Sequence, residues 1–458
     1  MASSSASIWD RLLTATGAGA LVRSHPRMKW LLLEPLPFLL WVHLTGGFGQ
    51  ITPYFVSYLG LIGARERDLF WLLLVFHGGM AVQSLWVVTH GSRSRPRRDP
   101  KSFCLRCTWA GRATWFLVLL WPLLGWQLGL SSGWILGGVL LAVFLAQVLQ
   151  MAGASAWVSW TREVVPEALR GRFFAWRMIA GFILAAVFMQ VLRRLWPGGS
   201  GVTSGPLWWL MTIFAITALL GLLSTLILAI APDMDADHRE RSRILPPLRQ
   251  QWRKRRSFWY YSAWNLIHVG SYVMITLYLK PYLSALGISD ADYASYDAWI
   301  RSPCLILGVA CAGWALPRMP SRHLATLFHC CLLGGYALLL SARHHPQAMV
   351  LAPAFALESF GLGMGVVVLI GHLYRLTPAL DFRFPALFFG LGACGSLVAA
   401  AVLACLPRQL DGDFGLDMIW WLMAIAVIIR LLATPLVMAS KAPDDVPPAL
   451  PRSDPSLR

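Results

Sequence analysis

Glu358 is the residue of this chain whose setting speaks most directly of chemistry. It stands in "LAPAFALESFGLGMGVVVLIG" (351–371), where it is the single charged side chain. A carboxylate in such a run is costly unless it is paired or protonated. Two roles fit it: a proton carrier that gains and loses its charge, or half of a fixed ion pair, with Arg430 of "AVIIRLLA" as the partner to look for. His43 in "VHL" and His268 in "IHV" occupy nearly equivalent places in the two halves of the chain. Histidine is the side chain whose charge changes near neutral pH, so each is a candidate for solute contact or for coupling, and each is equally at home as a hydrogen-bonded packing residue. His77 and His372 rank below them.

These residues fall on polar stripes at helical spacing. One stripe carries His43, Gly47, Gln50, Tyr54 and Ser57, and a second carries Gln147, Gln150, Ala154, Trp157 and Thr161. A third carries Asn265, His268, Tyr272 and Thr276, and a fourth Glu358, Gly361, Gly365 and His372. On a helix in lipid, such a stripe faces protein or water. Amides, hydroxyls, aromatic rings and one acid suit the binding of a small polar solute; the plainer alternative is polar glue between helices. Glu34 in "LLLEP" calls for a cationic partner, Arg172 or Arg177, and such a pair reads as a conformational latch. Asp297 and Arg301, four apart, share a helix face and pair structurally.

The elements that must hold these residues are membrane helices. Hydrophobic residues make up 57% of the 458 and charged residues 13%, about half the charge of an ordinary soluble domain. The 23 tryptophans fit the same class, since indole favours the headgroup level. A crossing helix needs about 20 mostly apolar residues, and backbone polar groups in lipid must be satisfied within the segment. The expected spans are 36–59, 69–90, 103–124, 134–160, 173–195 and 206–231, then 258–283, 296–316, 323–342, 348–373, 384–406 and 416–438. This is an all-α polytopic membrane protein with twelve transmembrane helices. Most Lys and Arg of the connections fall on the side of the two termini; Arg65, Arg67, Arg193, Arg194, Lys280, Arg343 and Arg408 fall on the other. Both termini are therefore expected in the cytoplasm, in a multi-pass protein of the cytoplasmic (inner) membrane. The net charge of +17 is a topology signal and calls for no nucleic acid. Residues 1–28 lack an uninterrupted apolar core and read as a retained cytoplasmic tail rather than a signal peptide.

Other features point away from catalysis. Walker A, H-E-x-x-H and G-x-S-x-G patterns are absent. "GLGMG" (361–365) reads as close helix packing. Most of the eight cysteines lie in apolar runs, where cysteine acts as a small hydrophobe, and Cys104 and Cys107 have no neighbouring Cys or His pair to complete a zinc site. No enzyme activity, metal or cofactor is expected. The basic loop 232–257 is a positive-inside linker, with anionic headgroups as its possible contact.

The chain also repeats itself. "ITPYFVSYL" (51–59) and "ITLYLKPYL" (275–283) share Ile-Thr, both tyrosines and the final Leu, at the ends of spans one and seven. Arg172, Phe173, Ala175 and Gly181 reappear in order as Arg383, Phe384, Ala386 and Gly392. Two parallel six-helix, pseudo-symmetric bundles explain both echoes. The expected division is a tail 1–30, a bundle 31–231, the linker 232–257, a bundle 258–440 and a tail 441–458.

Two six-helix halves with a basic central loop resemble the major facilitator superfamily of secondary transporters. "TREVVPEALRGRFFAWRM" (161–178), "LLLEP" (31–35) and the lone Arg430 resemble one bacterial branch of it. Two loops depart from the superfamily pattern. "VTHGSRSRPRR" (88–98) lacks the acidic residue, and in "GWALPRMPSR" (313–322) Pro317 stands where the Asp would be and Pro320 where the second Gly would be. The resemblance implies a major facilitator fold in which spans one, four, seven and ten line a central cavity. It implies a transporter moving a small organic solute by alternating access, with proton coupling through Glu358, His43 or His268. Gating contacts would be Glu34, Arg172, Arg177 and Arg430. Solute, protons and membrane lipid are the expected partners, and a monomer the expected state. The reading from another class is a sensor or scaffold built on the same fold.

Overall fold

The computed structural model describes residues 27–45, 53–64, 68–90, 99–195, 207–233, 255–345, 347–378, 381–405 and 416–442. All regular structure among them is helical: α1 Met28–Leu33, α2 Pro35–Thr45, α3 Pro53–Leu61, α4 Asp68–His90, α5 Pro100–Gln127, α6 Ser132–Val164, α7 Glu167–Leu195 and α8 Leu207–Ile230. There follow α9 Arg256–Ala285, α10 Asp290–Tyr296, a π-helical turn Asp297–Arg301, α11 Ser302–Ala315, α12 Ser321–Ser341, α13 Gln347–Leu376, α14 Arg383–Cys405, α15 Leu416–Leu432 and α16 Thr434–Ala439.

The faces of these helices are arranged for lipid. On α8, Leu219, Leu223, Leu226 and Ile230 are exposed, while Thr217, Ser224 and Thr225 are buried. On α15, Ile425, Ile428 and Ile429 are exposed and Arg430 is completely buried. Water would demand the reverse; hydrocarbon outside and polar contacts inside produce this pattern. Among the described residues, nine helices are long and apolar enough to cross a membrane. The expected spans 36–59, 103–124 and 258–283 are not among them. The first is present as α2 and α3, with 46–52 outside the described residues. The other two are long helices, α5 with 28 residues and α9 with 30. Both are diluted by polar groups: Arg112 in α5; Asn265, His268 and Ser271 in α9.

α5 begins at Pro100, a few residues ahead of the expected span 103–124. Asp99 caps the helix by accepting from the Lys101 N–H at 3.3 Å and from Ser102 Oγ at 3.2 Å, and Pro100 opens it. This is the usual chemistry of a helix start. Lys101 and Arg112 are thus helical and buried. The linker 232–257 lies almost wholly outside the described residues.

By its contacts the chain forms two compact units: Met1–Arg65 with Arg98–Ser242, and Glu66–Arg97 with Arg243–Arg458. The division by chain order, 31–231 against 258–440, differs at one helix: α4 packs on α14 of the second unit. Gln83 Nε2 donates to Ala386 O at 3.2 Å, and a Cβ on Gly390 would overlap Ser84. In the first unit, α5 packs along α6, and α2 lies against α7 and α8. Its core holds the rings of Trp41, Phe55, Trp115 and Phe214 in edge-to-face contacts of 5.5–6.3 Å. In the second unit, α9 packs against α14 and α15, and α13 lies between α11 and α12.

Candidate functional site

Glu358 reaches its partner because α13 packs unusually closely on both neighbours. A Cβ on Gly335 of α12 would crowd the Glu358 backbone, and one on Gly363 of α13 would overlap the Leu305 carbonyl of α11. Glycine at both contacts lets the helices approach. The α11 side then supplies Arg301. Pro303 has no N–H, and its ring crowds the carbonyl four residues back. The local helix widens into the π turn, in which the Ser302 N–H bonds Asp297 O, five residues back. Arg301 ends this turn.

There the guanidinium serves several acceptors at once. Nε lies 3.3 Å from Glu358 Oε2, and Nη2 lies 3.4 and 3.2 Å from Oε1 and Oε2. Nη1 donates to Tyr293 Oη at 2.7 Å and Asp297 Oδ1 at 3.2 Å. Ser359 Oγ donates to Glu358 Oε2 at 3.1 Å, and the Phe355 and Tyr293 rings flank the guanidinium at 5.6 and 5.9 Å. Glu358 is 5% exposed, whereas the Asp297 side chain is 55% exposed. Charge-assisted N–H···O bonds usually close to about 2.7–2.9 Å. The Arg301–Glu358 fork is longer than the Asp381–Arg383 pair of the same unit, which closes to 2.8 and 2.7 Å. The sequence reading offered Arg430 as the fixed partner of Glu358 and confined Arg301 to Asp297; Arg301 in fact bridges both carboxylates.

Arg430 heads a second cluster. Its Nη2 donates to His268 O at 2.8 Å and its Nε to Ser271 Oγ at 3.1 Å. Its guanidinium carbon lies 5.1 Å from the Tyr336 ring centre, and neither Nη1 nor the Tyr336 hydroxyl completes a hydrogen bond of good geometry. Beneath it, Trp264 Nε1 donates to His329 Nδ1 at 3.2 Å. Indole N–H is only a donor, so Nδ1 must accept and Nε2 carries the ring proton. That N–H faces Arg430 O at 3.1 Å and Thr434 Oγ1 at 3.2 Å. His329 is therefore neutral, and protonating it would break the Trp264 bond. His372 is held between Ser321 Oγ at 2.7 Å and Ser440 Oγ at 2.9 Å, hydroxyls that can either donate or accept. Tyr272 links the two clusters, lying within electrostatic reach of Glu358, Arg301, Arg430 and Tyr293.

The remaining residues singled out by sequence are distributed as follows. The His268 ring stacks on Trp264 with centroids 4.6 Å apart. Asn265 is spent on packing, donating to Phe388 O of α14 at 3.0 Å. In the first unit, Gln147 and Gln150 are buried; both polar atoms of Gln147 and Oε1 of Gln150 lack hydrogen-bond partners among the described residues. Gln50 lies outside the described residues, as do the side chains of His43 and Tyr54. Glu34, 1% exposed, pairs with Arg177, lies 3.8 Å from Arg112 Nη2 and accepts from Ser224 Oγ at 2.6 Å. Arg112 also donates to Gly221 O at 2.7 Å and Thr225 Oγ1 at 2.8 Å. All these partners belong to the first unit, so the cluster fastens helices within that unit. Arg172, the other partner considered, is exposed. Sequence reasoning passed over Arg112, Tyr293, His329 and Tyr336. His329 gave a usable signal: like Glu358, it is an isolated ionisable residue in a largely apolar run. Among the described residues, no group of three or more His, Cys, Asp or Glu side chains is placed to hold a metal ion.

No family model matches the chain, and no curated protein does. Solved structures do. The proton:xylose symporter XylE bound to 6-bromo-6-deoxy-D-glucose superposes with a TM-score of 0.62 at 14% identity, covering 89% of this chain and 94% of that one. FucP in its outward conformation gives 0.64 at 13% identity, covering 90% and 98%. A bacterial homologue of ferroportin, outward-facing with soaked iron, gives 0.64 at 12% identity, covering 90% and 98%. The chain is thus an all-α, multi-pass membrane protein. It has the major facilitator fold.

Proposed function

We propose that this protein is a secondary active transporter, moving a small organic solute across the cytoplasmic membrane by alternating access. On this reading twelve spans form two helix bundles joined by the basic linker 232–257, with both termini cytoplasmic. The observation that carries the proposal is the Arg301–Glu358 pair, with Glu358 buried, inside a membrane helix bundle of this fold. Glu358 is the coupling carboxylate: taking up a proton dissolves its pairing with Arg301, and losing it restores the pair. The XylE and E. coli FucP structures that share the fold are described as proton symporters, of xylose and of fucose, which supports proton coupling here. Tyr272 and Tyr293 add hydroxyls beside the pair, and His268 an imidazole.

The test is accessibility. Single cysteines placed along 53–64 and 265–283 in a Cys-free protein are labelled from each side of the membrane, with and without solutes drawn from a thermal-shift screen. A transporter shows labelling that rises on one face as it falls on the other when solute is added. Labelling that never changes with any stabilising solute contradicts the proposal and favours a scaffold.

A further inference from the structure

The charges around Glu358 narrow the class of solute. Arg301 contacts it from the α11 side and carries Asp297 and Tyr293 on its other nitrogen, while Tyr272 of α9, Tyr336 of α12 and Arg430 of α15 lie within electrostatic reach. With Glu358 ionised, two guanidinium groups meet two carboxylates, and the set is neutral. One of those carboxylates, Asp297, stands at the wet edge, so the buried portion already leans positive. Protonating Glu358 leaves one positive charge in excess and frees Nε and Nη2 of Arg301. Two adjacent guanidinium donors form the fork that takes a carboxylate bidentately. A cationic solute would have to share this space with two arginines. A neutral solute would leave a buried guanidinium without a counter-charge, which is costly.

We propose that the site takes an organic monocarboxylate, which replaces protonated Glu358 on Arg301, so that one proton and one monoanion cross together. This rests on the transporter reading above. The exchange balances: Glu358 gains the proton and loses its ionic contact, the solute's carboxylate gains that contact, and the charge of the site is restored to zero. Transport is therefore electroneutral, driven by a pH difference and indifferent to membrane potential.

The test uses purified protein in liposomes with three radiolabelled probes of low passive permeability: gluconate, xylose and tetraethylammonium. A pH gradient is imposed alone, and a valinomycin potassium potential is imposed alone. The expected result is gluconate uptake driven by the pH gradient and unchanged by the potential. Binding is then read separately by intrinsic tryptophan fluorescence. Gluconate affinity in the parent should rise as pH falls, by at most about tenfold per pH unit for one linked proton. Glu358→Gln imitates the protonated acid and should bind gluconate with no pH dependence, even if it no longer transports. Arg301→Gln should lose binding, while Arg301→Lys, which keeps charge without the fork, should bind more weakly. Uptake of xylose or tetraethylammonium, driven by the potential and without gluconate binding, overturns the solute class and leaves the transporter standing. Gluconate binding that Glu358→Gln leaves pH-dependent also overturns it. No uptake of any probe, together with cysteine labelling that stays fixed, removes both readings.

Discussion

A single ionised group buried in a helix bundle has to be answered by another. Glu34 shows how completely this fold can answer one: two arginines and a serine hydroxyl from α5, α7 and α8 converge on it. Removing one partner of such a pair strands the other charge and costs about 3–5 kcal/mol. Arg177→Ala is therefore expected to lower the unfolding temperature of the detergent-solubilised protein sharply, whereas Arg172→Ala, an exposed side chain, should leave it near the parent value. Equal effects from the two would argue against the cluster as a fastening. The sequence already singled out Glu358 and Glu34, because an isolated charge among apolar residues is conspicuous in one dimension. Arg177 was one of two candidates for Glu34, and geometry chose between them. The partner of Glu358 was hidden for a physical reason. Arg301 had a sufficient local explanation four residues away in Asp297, and spacing along one helix says nothing of a carboxylate brought in by another.

Elements bring these residues together through two local devices. The first is the Pro303-induced π turn, which sets the direction of Arg301. Pro303→Ala restores an N–H and allows a regular α-helix. It is expected to turn Arg301 away from Glu358 and impair coupled transport, with little loss of folded protein. Unchanged coupling would show that the turn is incidental. The second is the glycine contact of α13 with α11. Gly363→Val would force a side chain into the Leu305 carbonyl, and overpacking of this kind costs about 1–3 kcal/mol. A lowered unfolding temperature is expected, and an unchanged one would contradict the close approach. Periodicity and hydropathy made most helices legible. They placed the start of α5 a few residues late, where Asp99 and Pro100 spell out a cap. Which helices would pack together was not legible at all: chain order assigned α4 to the first bundle, while Gly390 and Ala386 of α14 accommodate it in the second unit.

At the scale of the whole molecule, outward-facing isoleucine and leucine and inward-facing arginine, serine and threonine identify lipid as the solvent. The superpositions on solved transporters show the major facilitator fold that the sequence resembled, at identities of 12–14%. The fold is thus carried by the pattern of faces more than by particular residues. The orientation proposed from the basic connections predicts that a reporter fused after residue 458 is read on the cytoplasmic side and one inserted at 198–202 on the opposite side. Reversal of either would overturn the twelve-span count or its direction. The central claim remains the opening and closing of the Arg301–Glu358 pair with a proton. Its most direct measurement is solute-driven proton movement into liposomes carrying the parent protein or Glu358→Gln, with solute counterflow recorded in the same preparations. The parent is expected to move protons with solute. Glu358→Gln should exchange solute without moving protons. Proton movement by Glu358→Gln equal to that of the parent would contradict the account.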